Sequence, residues 1–202
     1  MLEEITDVIQ SFDSNLEFTF FEVGALQLAE EEEPFYKIFR LFPGSKIIGF
    51  EVDEQVCAEM NNSAPAGVRY FPYALGEQNE VRPFYETRHP MCSSLYEPDT
   101  SFLNLYNALD VAHLERKSKI KTITLDYFRE KHGVQSVDFV KIDIQGAELD
   151  VFKGGTSALK DVLAIMCEVE FLPLYKEQPL FGDVCAFLRD HNLAFHKFFS
   201  LS

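Results

Sequence analysis

The amino-acid sequence predicts an α/β protein built on a doubly wound, mostly parallel sheet with helices on both faces. Short apolar runs of strand length alternate with segments of helical periodicity, which is the pattern of a parallel sheet. Three of these runs end in charged residues or glycine, as strands do where a sheet opens to a ligand. The 202 residues, 47% of them hydrophobic, are enough for one core, so we predict a single domain over residues 1–202.

The chain is predicted to open with an amphipathic helix within residues 1–15, because apolar side chains recur there at helical spacing. These side chains are Leu2, Ile5, Val8, Ile9 and Phe12. The first strand is predicted over residues 16–24. A helix over residues 34–42 follows, with Pro34 in its first turn, a position that proline favours. Residues 30–33 are four glutamates, which we interpret as the solvated start of that helix.

The same alternation continues into the next strand and helix. Residues 45–52 form the second predicted strand, and Asp53 is predicted to cap a helix over residues 53–62. The third strand is predicted over residues 67–75. Three strands joined by helices in this way favour parallel neighbours in one sheet.

The middle of the chain, residues 76–121, is less regular, and we expect it to take part in recognition, since loops of such folds commonly do. A short extra strand is predicted over residues 80–87 and a helix over residues 99–117. Beyond the middle, the alternation of strands and helices resumes. The predicted elements are a helix over 124–132, a strand over 137–144, a helix over 146–154, a strand over 162–171, a helix over 180–191 and a last strand over 193–199.

The charge excludes one class of partner. Lys and Arg total 18 against 33 Asp and Glu, which gives a formal net charge of −15. A chain this acidic is repelled by phosphate backbones, so we predict no nucleic-acid partner. The one basic run, residues 116–121, is interpreted as a solvated face rather than a binding groove.

Cysteine and histidine usage predicts neither a disulfide framework nor a metal site. The four cysteines are far apart in the sequence, and the five histidines are scattered. A reducing cytoplasm is therefore the expected location. The longest apolar runs are strand-sized, so no membrane span is predicted.

Charged residues stand where a buried strand should be apolar. Lys141 and Asp143 lie near the end of the strand predicted over residues 137–144. Such groups are costly in a core unless they are paired or carry a function. One interpretation is a structural ion pair between them or with Glu148, and the other is a functional site at the strand end.

Two other strand ends repeat the pattern. The first strand ends in Glu22 and Gly24, and the second ends in Glu51. A carboxylate before a glycine turn and a second acid at the next strand end are what an adenosine-containing cofactor requires. Either acid alone could simply be exposed at a strand terminus, whereas three charged strand ends together favour a binding site.

The segment TLDYFREKHGVQSVDFVKIDIQGAELDVFKGG, residues 124–155, resembles the signature block of the FkbM family of S-adenosylmethionine-dependent methyltransferases. In that family, a Thr-Leu-Asp helix start precedes a strand that ends Lys-Ile-Asp-x-(Glu or Gln)-Gly-x-Glu. The similarity extends to IIGFEVDE, YALGE, the Ser-Ser-Leu of MCSSLYEP and the segment from residue 167 to residue 198. It implies a Rossmann-like class I methyltransferase fold, here with the seventh strand missing from the sequence pattern.

The resemblance implies methyl transfer from S-adenosylmethionine to a hydroxyl group of a small molecule or a glycan. Gly24 and Ala25 would pass the methionine end of the cofactor, with Glu22 nearby. Glu51, with Val52 beside it, would take the ribose hydroxyls. Two further residues, Ala74 and Leu75, would line the adenine.

The same resemblance assigns the chemistry to the later strand ends. Asp143 is the first candidate for the base or for the group that positions the acceptor, with Lys141 to orient it or to stabilise charge on the oxygen. Glu170 is the second candidate, and a role for Glu168 and Glu170 in capping backbone is equally open. The candidate acceptor contacts in residues 86–98 are His89, Ser93 and Ser94, although a loop histidine can also be merely exposed.

The first loop departs from the family pattern. The family usually has Asp-x-Gly-Ala-Asn-x-Gly, whereas this chain has Glu22-Val-Gly24-Ala-Leu26-Gln-Leu28. The bulk of Leu28 narrows the space where the methionine end of the cofactor normally lies. Two other classes of protein therefore stay open. One is a nucleotide-dependent oxidoreductase, although such an enzyme would need a Gly-x-Gly-x-x-Gly motif after the first strand and this chain does not have one. The other is a catalytically silent binding module.

The last predicted strand suggests an oligomer. Residues 193–199 are largely apolar on both faces and have no second strand after them to pair with. Because an exposed apolar edge pairs readily with another chain, we predict a homodimer through this edge. The alternatives are that the natural chain continues or that a helix or the N-terminal segment covers the edge.

Overall fold

A computed structural model describes residues 2–25 and 34–198 of the chain. The predictions on the glutamate run at 30–33, on Leu26 and Leu28, and on residue 199 lie outside the described residues. The helices are α1 (Leu2–Phe12), α2 (Pro34–Leu41), α3 (Glu54–Ser63), α4 (Thr100–Leu103), α5 (Leu125–His132), α6 (Glu148–Lys153) and α7 (Phe181–Asp190). The strands are β1 (Thr19–Val23), β2 (Lys46–Phe50), β3 (Val68–Phe71), β4 (Ala74–Leu75), β5 (Glu80–Thr87), β6 (Leu114–Ile123), β7 (Phe139–Ile142) and β8 (Ala164–Cys167).

The α/β fold with a mostly parallel sheet is confirmed. A five-stranded sheet has the order β3-β2-β1-β7-β8, and β1 pairs in parallel with both β2 and β7. The chain reaches β7 only after the whole middle region, so the strand order reverses beside β1. In sheets of this type, ligands bind outside the carboxyl ends of the strands at such a reversal.

The chain divides into two compact units, each of which gathers separate stretches of sequence. The first contains Met1–Ala74, Val134–Ile142 and Asp161–Met166. The second contains Leu75–Gly133, Asp143–Lys160 and Cys167–Ser202. The assignment of residues 1–202 to one domain stays a prediction.

Aromatic side chains fill the core of the first unit. Phe20 on β1 is 1% exposed and stacks on Phe139 of β7 and on Phe35 of α2, at centroid distances of 4.9 and 5.8 Å. Ile47 and Val68, on β2 and β3, complete the buried cluster. Burying side chains of this size supplies about 1.5–3 kcal/mol each, which ties helix α2 to three strands.

The third predicted strand is shorter than expected and is followed by a separate one. Residues 67–75 divide into β3 and β4, which belong to different sheets. Pro72 interrupts the run because it has no N–H to donate to a neighbouring strand. The amide of Tyr73 then donates to the carbonyl of Phe71, which turns the chain between the two strands.

Strands β5 and β6 of the second unit belong to a three-stranded sheet in the order β4-β6-β5. The predicted strand over residues 80–87 is confirmed as β5, but the predicted helix over 99–117 is wrong. Helix α4 covers four of those residues and a 3-10 helix spans Asn107–Ala112, whereas β6 begins at Leu114 and pairs with β5 in antiparallel register. From Lys117 onward lysines alternate with Ser118, Ile120 and Thr122, and this period of two is that of a strand with one solvated face.

The predicted C-terminal strand is also wrong for residues 193–198, which have no regular structure. Phe195 and Phe198 pack on Phe181 at centroid distances of 5.5 and 5.4 Å, and on each other at 4.9 Å. Both rings therefore join one cluster, whereas an extended strand would separate residues three positions apart to opposite faces. The edge on which the predicted homodimer rested is not formed by these residues, and the homodimer itself stays a prediction.

All four cysteines lie in the described part of the chain and are free thiols. No helix within residues 2–25 and 34–198 is long and apolar enough to cross a membrane.

Candidate functional site

The turn after β1 depends on a glycine. Gly24 has a φ of 76°, a left-handed conformation that glycine adopts without strain. Its amide and that of Ala25 both donate to the carbonyl of Phe50, at 3.2 and 3.1 Å. The chain thus stays against the end of β2 at Gly24 and Ala25, and the residue at the turn presents bare backbone.

Glu51 follows β2 directly and is 7% exposed. One carboxylate oxygen accepts a hydrogen bond of 2.9 Å from the amide of Asp53, and the Glu51 amide donates to the carbonyl of Phe71. Burial raises the pKa of Glu51, while the amide of Asp53 opposes that shift. The side chain is therefore a fixed, largely desolvated acceptor of hydrogen bonds at the end of a strand.

Glu22 is completely buried, and tyrosines surround it. The hydroxyl of Tyr36 donates to Glu22 Oε2 at 3.3 Å and lies 3.1 Å from the hydroxyl of Tyr70. The Tyr70 ring fills the space over Gly49, where an added Cβ would lie 2.3 Å from a ring carbon. Gly49 is therefore required for this packing, and Glu22 supports the strand from inside the first unit.

Lys141 lies on β7 in register with Glu22 of β1. Residues in register on parallel strands project to the same face of the sheet, so the lysine and the glutamate share a face. Lys141 is half-buried. The structure thus places this predicted residue in the first unit, at the strand end beside β1.

The turn after β7, residues 143–147, holds the backbone in two left-handed conformations. Gln145 has a φ of 59° and Gly146 a φ of 92°. Glu148 closes the turn, because its Oε1 accepts hydrogen bonds from the amides of Ile144 and Gly146, at 2.9 and 3.2 Å. A non-glycine residue in the left-handed region costs about 1–3 kcal/mol and persists only where its surroundings fix it. This turn is the structure behind the Gln-Gly-x-Glu pattern.

Four acidic side chains and one amide form what we call the carboxylate cluster: Asp143, Gln145, Glu148, Glu168 and Glu170. Gln145 Nε2 donates to Glu168 Oε2 at 2.6 Å and to Asp143 Oδ1 at 3.2 Å. Glu168 also forms a side-chain hydrogen bond with Asp143. The cluster lies wholly within the second unit, and its members follow β7 and β8 in the chain.

Three glutamates of the cluster have raised pKa values. Burial, followed by the charge of Glu170, raises the pKa of Glu148 to about 8. The pKa of Glu168 is raised by burial of its carboxyl group and then by Asp143, although the residue as a whole is exposed to solvent. Burial also raises the pKa of Glu170, against the hydrogen bond of Gln178. The cluster therefore holds protons at a pH where isolated carboxyl groups have lost them.

Cys167 lies beside these acids at the end of β8. Burial and the neighbouring charges of Glu148 and Glu170 raise the pKa of its thiol well above the ordinary value. The thiol is consequently protonated near neutral pH and takes no part in the charge of the cluster.

The predicted acceptor contacts differ in their surroundings. Ser94 is 1% exposed, and its hydroxyl donates to the carbonyl of Gln145 at 2.6 Å. Ser93 accepts a hydrogen bond from the amide of Thr87 through its hydroxyl. His89 is exposed. Of the three, Ser94 is the one that the structure joins to the carboxylate cluster, through the backbone of Gln145.

Sequence reasoning missed several residues of these sites. Tyr36 and Tyr70, around Glu22, and Tyr175, whose hydroxyl lies 3.4 Å from Gln145 Oε1, carry no local motif. Gln145 did have a signal, since it stands at the Glu-or-Gln position of the pattern Lys-Ile-Asp-x-(Glu or Gln)-Gly. Within the described residues, no group of three or more His, Cys, Asp or Glu side chains is arranged to hold a metal ion.

Comparison with known proteins places the chain in a family. The family model described as the methyltransferase FkbM domain matches residues 22–195. The 2-O-methyltransferase NoeI of Sinorhizobium fredii (strain NBRC 101917 / NGR234) is 25% identical over 147 residues, which cover 70% of this chain and 60% of that protein. No solved structure matches the chain significantly. With nearly all of its sheet, both strand-end carboxylates and the carboxylate cluster inside the matched range, the chain belongs to the methyltransferase FkbM domain family.

Proposed function

We propose that this chain transfers a methyl group from S-adenosyl-L-methionine to a hydroxyl oxygen of a small-molecule or glycan acceptor. The observation that carries the proposal is the family match over residues 22–195, within which acidic residues directly follow β2, β7 and β8. The relative named as a 2-O-methyltransferase supports oxygen as the methylated atom. This chain spans about 60% of that relative's length, so its acceptor is proposed here only as a class.

The strand ends of the first unit fit an adenosine-bearing methyl donor. Gly24 offers backbone without a side chain, so the donor can approach closely there, with Ala25 next to it and Glu22 supporting the strand from within. Glu51, beside Val52, is a desolvated carboxylate suited to the two ribose hydroxyls. Ala74 and Leu75, the two residues of β4, are proposed to contact the adenine. When bound, the donor supplies a methyl group activated by a sulfonium sulfur.

The protein's own contribution is proton transfer and positioning. Asp143 is proposed to take the proton that the acceptor hydroxyl loses on methylation, and a positioned base of this kind contributes roughly 10²–10⁴-fold in rate. Lys141, two residues earlier, is proposed to stabilise negative charge on the oxygen. Glu170 is the second candidate for the base. Its raised pKa keeps it protonated over a wider pH range, which makes it the weaker choice at neutral pH.

The acceptor is proposed to contact the segment with His89 and Ser93, both on the loop that precedes the buried Ser94. Because the hydroxyl of Ser94 is already bonded to Gln145, its proposed role is to hold this loop. The acidic character of the cluster disfavours phosphate or carboxylate groups near the reacting hydroxyl, because like charges repel in a desolvated site. A neutral polyol, such as a sugar, fits this charge.

A ligand panel tests the donor assignment. Thermal unfolding would be measured with S-adenosylmethionine, S-adenosylhomocysteine and NAD, each at saturating concentration. A ligand present at about 100 times its Kd stabilises the folded protein by about 2.7 kcal/mol. We expect both adenosyl ligands to raise Tm by several degrees and NAD to have no effect.

The other outcomes point to other functions. Stabilisation by NAD alone would favour the oxidoreductase, and no response to any ligand would favour a catalytically silent module. If the adenosyl ligands bind, transfer of a radiolabelled methyl group from S-adenosylmethionine to a panel of simple methyl glycosides then tests the reaction itself.

A further inference from the structure

Gln145 occupies an unusual position in the carboxylate cluster. Its backbone is left-handed, with a φ of 59°, which costs free energy for any residue with a side chain. Replacement by glycine would relieve that cost, but it would also remove the side chain. The conformation is fixed from two directions, since Glu148 holds the amides on either side and Ser94 donates to the Gln145 carbonyl at 2.6 Å. The protein thus maintains strain in order to present this side chain.

The hydrogen bonds of the Gln145 amide define its orientation. Nε2 faces two acceptors, Asp143 Oδ1 at 3.2 Å and Glu168 Oε2 at 2.6 Å, and an amide nitrogen carries two hydrogens for two such bonds. Oε1 lies 3.4 Å from the hydroxyl of Tyr175, whose single hydrogen is donated at the shorter distance of 2.7 Å to the Cys92 carbonyl. Turning the amide over would place its oxygen against two carboxyl groups. The two acceptors of Nε2 therefore determine the orientation of the amide.

We propose that Gln145 is the positioning residue of the carboxylate cluster: its amide holds Asp143 and Glu168 as one hydrogen-bonded unit and sets the direction in which Asp143 meets the acceptor hydroxyl. The effect of Gln145 on how Asp143 meets the acceptor rests on the proposed methyl transfer, whereas the coupling of the two carboxyl groups does not. Gln145 acts through Asp143 and does not itself touch the reacting atoms.

The charges around Asp143 and Glu168 affect how these two carboxyl groups titrate. The titratable groups that face Asp143 and Glu168 come from α6, from β8 and the residues after it, and from the segments around residues 92 and 175. They are Glu148, Cys167, Glu170, Cys92 and Tyr175. These groups are acids, thiols and a phenol, and the amide of Gln145 donates to both Asp143 and Glu168.

The test is a pH titration followed by NMR of side-chain carboxyl carbons, with the full chain labelled at Asp and Glu and the Glu168 signal assigned from Glu168→Gln. Two variants are compared with the wild type: Gln145→Leu removes the amide, and Gln145→Glu keeps the shape but adds a carboxylate. The matched control is Gln55→Leu, because Gln55 donates to Glu59 at 3.2 Å on the exposed surface of α3.

We expect the titration midpoint of Glu168 to rise by about one pH unit in Gln145→Leu and by more in Gln145→Glu, because a lost donor and an added like charge both disfavour the ionised form. In the control, the midpoint of Glu168 should match that of the wild type, because Gln55 forms its bond on the exposed surface of α3. Midpoints of Glu168 that agree within about 0.3 units in all three proteins would overturn the coupling. Gln145→Glu retains the side-chain volume, so it decides the question even where Gln145→Leu fails to fold.

Kinetic measurements then test whether Gln145 sets the direction in which Asp143 meets the acceptor hydroxyl. With S-adenosylmethionine and the accepted methyl glycoside, Gln145→Leu should lower kcat by roughly 10–100-fold while KM for S-adenosylmethionine stays within about twofold, as for a lost orienting contact. An unchanged kcat would refute the positioning role. If the wild type transfers no methyl group at all, the proposed function fails, and the titration still decides whether Gln145 couples the two carboxyl groups.

Discussion

Glu51 in the first unit and Asp143 in the second each follow a parallel strand directly, yet their surroundings are opposite. Burial raises the pKa of Glu51, the hydrogen bonds that it accepts from the backbone amides of Asp53 and Val52 lower it, and the charge of Asp53 raises it. Asp143 belongs to a cluster of four carboxyl groups, and it shares the amide of Gln145 with one of them, Glu168. An acid directly after a strand is therefore a fixed hydrogen-bond acceptor at Glu51. At Asp143 it belongs to a cluster in which neighbouring carboxyl groups retain their protons.

The comparison shows what decides the chemistry of a strand-end acid. A single carboxylate with N–H donors stays available to accept hydrogen bonds from hydroxyl groups. Several carboxyl groups close together cannot all be ionised, so some retain protons and one can exchange them with a substrate. Substitutions that change the number of charges or donors at each site should separate these two roles.

The largest effect is expected from Asp143→Asn. If Asp143 is the base, the variant should fold normally and lose roughly 10²–10⁴-fold in kcat, because the amide cannot take the proton. Its affinity for S-adenosylhomocysteine should change little, and calorimetry checks this. Undiminished turnover on the accepted glycoside would transfer the role to Glu170, and Glu170→Gln is the companion variant.

The second prediction concerns stability and pH, through Glu148→Gln. The pKa of Glu148 is raised from 4.5 to about 8 in the folded protein, so its contribution is complete below about pH 4.5 and is lost as the pH rises towards 8. The loss amounts to about 1.4 kcal/mol for each pH unit in that interval. Glutamine cannot ionise, so the free energy of unfolding of the variant should fall less steeply with pH.

Urea unfolding of both proteins from pH 4 to pH 9 measures this difference. The free energy of unfolding of the wild type, relative to that of Glu148→Gln, should be highest at low pH and lowest near pH 8. Parallel curves for the two proteins would contradict a raised pKa at Glu148. Glu168 and Glu170 are present in both proteins, and the difference between the curves also includes their coupling to Glu148, because the charges of these groups raise one another's pKa.

The third prediction tests the acceptor role of Glu51. Glu51→Ala should weaken binding of S-adenosylhomocysteine by about 1.5–3 kcal/mol for each charge-assisted hydrogen bond lost, or at least about tenfold in Kd. Glu51→Gln, which keeps one acceptor oxygen, should fall between the wild type and Glu51→Ala. Isothermal calorimetry distinguishes the three proteins, and equal affinities would remove Glu51 from the donor site.

The smallest effect is expected from Tyr70→Phe. This variant removes the hydroxyl that lies beside the hydroxyl of Tyr36, which in turn donates to buried Glu22. Tyr36 would keep its bond to Glu22 but lose its neighbour, at a cost of about 0.5–1.5 kcal/mol in the free energy of unfolding. Tyr106→Phe, at an exposed position, is the matched control and should cost almost nothing. A Tyr70→Phe protein as stable as that control would show that the hydroxyl pair contributes no net stability.

The sequence predicted the parallel sheet because its strands are short apolar runs that alternate with helices, as in a sheet covered by helices on both faces. It predicted β6 wrongly because the helical spacing of apolar residues before Leu114 masked the alternation of lysines after it. The error in residues 193–198 has a different cause. Their largely apolar character fits a strand and an aromatic cluster equally well, and only the tertiary contact with Phe181 decides between the two.

The residues of the candidate site could be predicted where their position relative to a strand identifies them. They could not be predicted where they depend on contacts between distant parts of the sequence. Glu51 and Asp143 could be located because each directly follows a strand. The tyrosines around Glu22, and the bond from Ser94 to Gln145, join residues far apart in the sequence. Their side chains carry no local pattern, so only the folded chain brings them together.

The cysteines of this protein have a consequence for its handling. Burial raises the pKa of every cysteine thiol: Cys57, Cys92, Cys167 and Cys185. Alkylating reagents and peroxides attack the thiolate, so each sulfur should react slowly near neutral pH. A cysteine introduced at an exposed position should therefore take a fluorescent or spin label selectively, with the four native residues left in place.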